Sequence, residues 1–111
     1  MNNELLTVKV DRPTWLHGEG MEESYLYRGS DGKMCCFGFV ARTLGIHENV
    51  ILELKTLEEI EDIRVEPYIK NSHTLVEAYA VNDSVTLTQE RRESELIELG
   101  KKLGIEFVFT K

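Results

Sequence analysis

The sequence predicts one α+β domain: a small mixed or antiparallel sheet that includes both chain ends, packed against three or four helices. Three observations predict it. Apolar and polar residues alternate at both ends of the chain, at Leu6, Val8 and Val10 and again at Ile105, Phe107 and Phe109, which is the period of a half-buried strand. Between them run apolar stripes of helical period, clearest at Leu96, Leu99 and Leu103. The 111 residues contain no repeat, low-complexity tract or linker, so residues 1–111 are read as a single globular domain with one core.

The elements follow in order. Leu5 to Val10 reads as the first strand, and Asp11-Arg12-Pro13 stops it, because proline cannot continue a ladder and restrains the residue before it. Thr14 to Glu23 is a loop, Ser24 to Arg28 a short strand, and Gly29-Ser30-Asp31-Gly32 a turn. A helix is expected from about Lys33 to Leu44, with Phe37, Val40, Ala41 and Leu44 on one side and Gly45 at its left-handed cap. Gly38 costs that helix about 1 kcal/mol relative to Ala, which points to close packing against another backbone.

Val50 to Leu54 fits a strand or a connector. Thr56-Leu57-Glu58-Glu59 has the form of a capping box opening a short helix through about Asp62, and Pro67 falls in a loop. Ser72 to Asn82 reads as a helix burying Leu75, Val76, Tyr79 and Ala80, ended by Asn82-Asp83-Ser84. The helix from about Thr88 to Leu103 has a Glu98–Lys102 pair and a Gly104 cap. Arg91 and Arg92 lie in its first turn, where the helix dipole disfavours them unless they meet an acidic group.

Composition excludes several functions. A net charge of -7 and a pI near 5.0 argue against a nucleic-acid partner, which needs clustered Lys and Arg. No apolar run reaches the roughly 18 residues of a membrane span, and Met1-Asn2-Asn3-Glu4 lacks the features of a secretion signal. A cytoplasmic protein is expected. The acidic run Glu58, Glu59, Glu61, Asp62 and Glu66 reads as a solvated face or as a surface for a basic partner.

Cys35 and Cys36 are adjacent, so a disulfide between them would be strained and two free thiols are expected. Cys36 shares the apolar side with Val40 and reads as core. Cys35 lies about 100° further round the helix, at a helix start that lowers a thiol pKa, which makes it the candidate reactive thiol. No metal or other cofactor is expected: Cys-Cys lacks the spacing of a zinc site, and the histidines stand singly.

The loop beginning at Arg12 is the candidate binding site. Trp15 offers a stacking face, Arg12 a forked donor and His17 a titratable ring, with Glu19, Ser24 and Tyr25 following. Gly18 and Gly20 would let backbone amides approach a small anionic or aromatic ligand. This Gly-x-Gly lacks the third glycine and following helix of a nucleotide fingerprint. The plainer reading is a tryptophan that plugs the sheet edge and glycines that serve turns.

Six segments carry a resemblance. Arg12-x-x-Trp15-x-x-Gly18-Glu19-Gly20, Ser24-Tyr25-Leu26 and Asp31-Gly32-Lys33-Met34-Cys35-Cys36-Phe37-Gly38-Phe39 resemble small uncharacterised proteins encoded in phage and prophage genomes. Val81-Asn82-Asp83, Glu90-Arg91-Arg92-Glu93 and Gly104-Ile105-Glu106-Phe107-Val108 resemble their second half. The chain departs at Phe37, where leucine is expected, and at His17, where arginine is expected. The resemblance implies a setting in a bacterial host rather than a reaction, and it transfers no catalytic residue. Such a setting favours a non-catalytic accessory protein that binds a host or defence protein. The alternatives are a small thiol-dependent enzyme or redox protein using Cys35, and a sponge for a nucleotide-like ligand.

Overall fold

A computed structural model describes residues 4–111. Met1, Asn2 and Asn3, the start read as lacking a secretion signal, lie outside the described residues. Among the described residues the chain forms strands β1 (Leu6–Asp11) and β2 (Ile105–Thr110) and helices α1 (Cys36–Thr43), α2 (Glu48–Ile51), α3 (Ser72–Asp83) and α4 (Gln89–Leu103). Four short 3-10 turns complete it, at Arg12–Thr14, Met21–Glu23, Leu57–Glu59 and Ile63–Tyr68.

The α+β class and the pairing of the two chain ends are as expected. The sheet, however, is parallel, not mixed or antiparallel, with Leu6 opposite Ile105, Val8 opposite Phe107 and Val10 opposite Phe109. Alternation is the same for either strand direction, so it could not distinguish them. Direction is set by the connection: a parallel pair needs a crossover, and here all the helices lie between the strands. Val8, Val10, Ile105 and Phe107 point into the core, while Thr7, Lys9, Glu106 and Val108 face out. α1 packs on β1, α4 on β2, and α3 on α4.

α1 starts at Cys36, three residues later than expected, because Met34 is committed to a bridge with Trp15. Leu16 N–H donates to Met34 O at 2.7 Å and Met34 N–H to Thr14 O at 3.0 Å. Gly38 has the close backbone contact its helical position implied: a Cβ there would lie 1.9 Å from Leu26 O. Ser24 to Arg28, expected as a short strand, and Val50 to Leu54, expected as a strand or a connector, meet through the Tyr27–Leu52 bridge and a hydrogen bond from Leu26 N–H to Leu54 O, and α2 occupies part of the second.

The Thr56 capping box is present, with Thr56 N–H donating to the Glu59 carboxylate at 2.9 Å, but it opens a single 3-10 turn that ends at Glu59 instead of a helix to Asp62. The turn at Ile63–Tyr68 takes in Pro67. α4 begins at its Thr88 cap, where the hydroxyl accepts from Arg91 N–H at 3.1 Å, and ends at Gly104 with φ 89°. On its surface Glu98 pairs with Lys101 at 3.7 Å instead of with Lys102; an exposed pair of this kind contributes little. No helix among the described residues is long and apolar enough to cross a membrane.

α3 departs most from expectation. Leu75 is buried and Tyr79 half-buried, but Val76 and Ala80 are exposed, and Thr74, Ala78, Asn82 and Asp83 are buried in their place. This shift of the buried face places two apolar side chains beside an open space.

Candidate functional site

Of the six residues proposed from the sequence, three serve packing at the junction of β1, β2 and α4. Arg12 spends its fork on Glu93, with Nε and Nη2 each 2.7 Å from a carboxylate oxygen, and it stands over the Phe109 ring. The bidentate pair holds the Glu93 carboxyl below its ordinary pKa. Trp15, read as the ligand anchor, is only 2% exposed. One face stacks on His17 at 3.9 Å, Phe109 lies at 4.8 Å, and the indole N–H donates to Asn82 Oδ1 at 2.9 Å. No face of the indole is left for a ligand. His17 bridges Trp15 O and the Gln89 side chain at 2.9 and 3.0 Å.

Glu19 stands apart from that junction. Its carboxylate accepts from Arg28 Nη1 at 3.0 Å, and Arg28 also grips Asp31, whose carboxyl is pushed down to about 2 by that hydrogen bond. Ser24 lies elsewhere again, beside Val76 and Ala80 of α3, and the Tyr25 ring lies beneath Lys55 Nζ.

Asn82 explains the tryptophan. It is fully buried, and its amide is fully used. Oδ1 accepts from Trp15 Nε1 and from Cys36 N–H; Nδ2 donates to Leu16 O and to Asp83 Oδ1. An amide has two donors and two lone pairs, so none is left over. Arg92 closes the same end of α3. Its Nη1 donates to Val81, Asn82 and Ser84 carbonyls and its Nη2 to Leu87 O. The first three are carbonyls at the end of α3, which a helix leaves without intrahelical partners; the fourth lies in the connection to α4. The acid expected for Arg92 is therefore not its direct partner, whereas Arg91 does pair with one, Glu95.

Beside this packed end lies a cavity of about 290 Å³ open to solvent. Met21, Val76, Tyr79 and Ala80 make its apolar wall, with Ser24, Lys55, Thr56, Glu58 and Asp83 around them. Tyr79 is held in place by Leu57 N–H, which donates to its hydroxyl at 2.7 Å, and by its ring against Phe37 at 4.6 Å. Burial pushes the Tyr79 phenol pKa up.

Asp83 is the unusual group. It is 7% exposed and lines the cavity, yet among the described residues its carboxylate meets the neutral donors of Asn82 and Ser24 alone. Among the described residues no cationic nitrogen lies within 4.0 Å of it. Lys55, the cation in the cavity wall, directs Nζ to Met21 O and Glu22 O at 3.2 and 2.9 Å and stands 4.6 Å over the Tyr25 ring. Burial raises the Asp83 pKa, and the pull of Asn82, Ser24, Lys55 and Arg92 does not offset it.

Both cysteines are free and fully buried. Cys35 is the N-terminal cap residue of α1, the position that suggested a reactive thiolate, but burial pushes its pKa up to about 12. Cys36 is raised well above the ordinary thiol value for the same reason. The protonated, enclosed sulfur at position 35 lacks the two properties that a nucleophile needs, ionisation and access. No group of three or more His, Cys, Asp and Glu among the described residues is placed to hold a metal.

No protein-family model, curated protein or solved structure matches this chain. The cavity brings together Ser24, proposed as a site residue, and Glu58, read as part of an acidic face, with residues not proposed for a site, among them Lys55, Val76, Ala80 and Asp83. A signal existed for two of them. Val76 and Ala80 carry the apolar period of α3, and a periodic apolar residue that is not covered marks a contact surface. Asp83 had no such signal, because Asn-Asp-Ser at a helix end reads as a terminator.

Proposed function

We propose that this chain is a non-catalytic accessory protein of phage or prophage setting that acts by binding a host protein, and that the cavity beside α3 is its contact site. One observation supports the site above others: a buried carboxylate that meets no cation among the described residues faces an open, largely apolar space. Burying a charge is costly unless it is paired, and groups held at such a cost concentrate where function needs them. Met21 and Val76, both more than half exposed, supply apolar surface at the same place. The setting comes from the resemblance of the Asp31 to Phe39 segment and its companions.

The other two readings have less support. A thiol enzyme would use Cys35, which is enclosed and protonated. A sponge for an anionic nucleotide would have to bring phosphate towards Asp83 and Glu58, and like charges repel.

Ala80→Trp tests the site. Ala80 is an exposed position at the cavity wall, and an indole there occupies the space. Pull-downs from lysate of a bacterial host should lose the captured partners with Ala80→Trp and keep them with Val85→Trp, a change at an exposed residue outside the cavity lining. Retention of every partner by a folded Ala80→Trp variant overturns the assignment.

A further inference from the structure

The cavity also has a chemical preference. Its wall is apolar, its buried polar groups are the Ser24 hydroxyl and the Asp83 carboxylate, and the two nearby cations turn their terminal nitrogens to carbonyls, leaving the buried Arg92 Nε without a partner among the described residues. Arg92 gives its two terminal nitrogens to four carbonyls, and Lys55 gives Nζ to two. Glu58 adds a second carboxylate to the lining. We infer that the cavity takes a group with an apolar body and a protonated nitrogen, an ammonium or guanidinium whose N–H donors reach the Asp83 carboxylate while its carbon body lies on Met21, Val76, Tyr79 and Ala80.

The complement follows from what each part lacks. Asp83 Oδ1 accepts from Asn82, and Ser24 supplies one more neutral donor, whereas an ionised carboxylate has about four acceptor sites. A charged donor therefore finds acceptor capacity, and a charge-assisted hydrogen bond in a shielded place is stronger than a neutral one. A neutral apolar ligand would leave the carboxylate further desolvated and without a cation. An anion would add repulsion. The inference rests on the cavity being the site, and it names what the site recognises. The same chemistry exists in a free organic amine and in a basic side chain of a partner protein, whose aliphatic stem is itself apolar surface.

The test uses the full chain and three probes of one shape and different charge: phenethylammonium, phenethyl alcohol and hydrocinnamate. Binding is read from amide signals of α3 in protein-detected NMR titrations. The cation should bind about tenfold or more tightly than the alcohol, as a hydrogen bond to a charged group implies, and the anion most weakly. Asp83→Asn should remove the preference for the cation and leave the alcohol unchanged. Lys55→Met, which takes away the nearby competing cation, should tighten the cation. Ala80→Trp should abolish binding of all three.

A second arm identifies the source. A blocked leucyl-arginyl-leucine peptide that binds more tightly than phenethylammonium assigns the site to a partner's basic side chain; the reverse order assigns it to a free amine. Equal binding of cation and alcohol, or a preference that survives Asp83→Asn, overturns the ligand class while leaving the cavity as the contact site. Absence of binding by every probe also overturns the class. The site itself falls only if folded Ala80→Trp still captures the lysate partners.

Discussion

Asn82 and Asp83 are neighbours at the end of α3, both buried, and differ by little more than an amide for a carboxylate. Their surroundings are opposite. Asn82 uses every hydrogen-bonding position it has, tying Trp15, Leu16 and the start of α1 to α3. Asp83 has two neutral donors, no cation within reach among the described residues, and faces an open cavity. The difference separates a group retained for the fold from one that the fold alone does not require. Satisfied buried polar groups specify a structure; incompletely satisfied ones cost stability and indicate a use.

Substitutions at the two residues should therefore have opposite signs. Asn82→Ala leaves the Trp15 indole N–H, the Cys36 N–H and the Leu16 carbonyl without this partner and should be the largest effect, about 3 to 5 kcal/mol of destabilisation in urea unfolding. An effect below about 1 kcal/mol would show that the amide is not the centre of this end of the fold. Arg92→Met comes next. It removes the donors that cap the α3 carbonyls and should cost about 2 to 3 kcal/mol, with the loss of amide protection confined first to the end of α3.

Asp83→Asn should reverse the sign and stabilise the chain at pH 7 by on the order of 1 kcal/mol, as substitutions at functional groups often do. The pH dependence follows from the raised pKa of Asp83. The folded chain holds this proton more tightly than the unfolded chain does. The contribution is full below the unfolded value of about 3.9 and is lost as pH rises through the higher folded value. The advantage of Asp83→Asn should therefore be smallest near pH 4 and grow towards neutrality. Asp31 and Asp62, whose arginine partners push them down to about 2, act the other way in both proteins and cancel in the difference.

The packed region was far more legible in the sequence than the cavity. Alternation revealed both strands, and the stripe at Leu96, Leu99 and Leu103 with Gly104 revealed α4, because burial there follows the local period. Gly38 announced a close backbone contact through the cost of a glycine in a helix. Strand direction could not be read, since it depends on the whole intervening chain. The start of α1 was misplaced because Met34 is held by a partner distant in sequence. On α3 the period put Val76 and Ala80 on the buried side, whereas both are exposed, because periodicity does not say how much of a face is roofed. Asn82 and Asp83 were read as helix-ending residues, and nothing local distinguishes a terminator in solvent from one buried among four partners. Trp15 drew attention as a binding anchor because an aromatic in a glycine loop looks available; its burial is decided by Asn82, His17 and Phe109, all contributed by the fold.

The most direct measurement is a carbon-detected NMR titration of the Asp83 carboxyl, alone and with phenethylammonium. The account predicts a midpoint above the ordinary aspartate range in the free protein and a lower one when the cation is present. A free-protein midpoint at or below that range, unmoved by the cation, would contradict it.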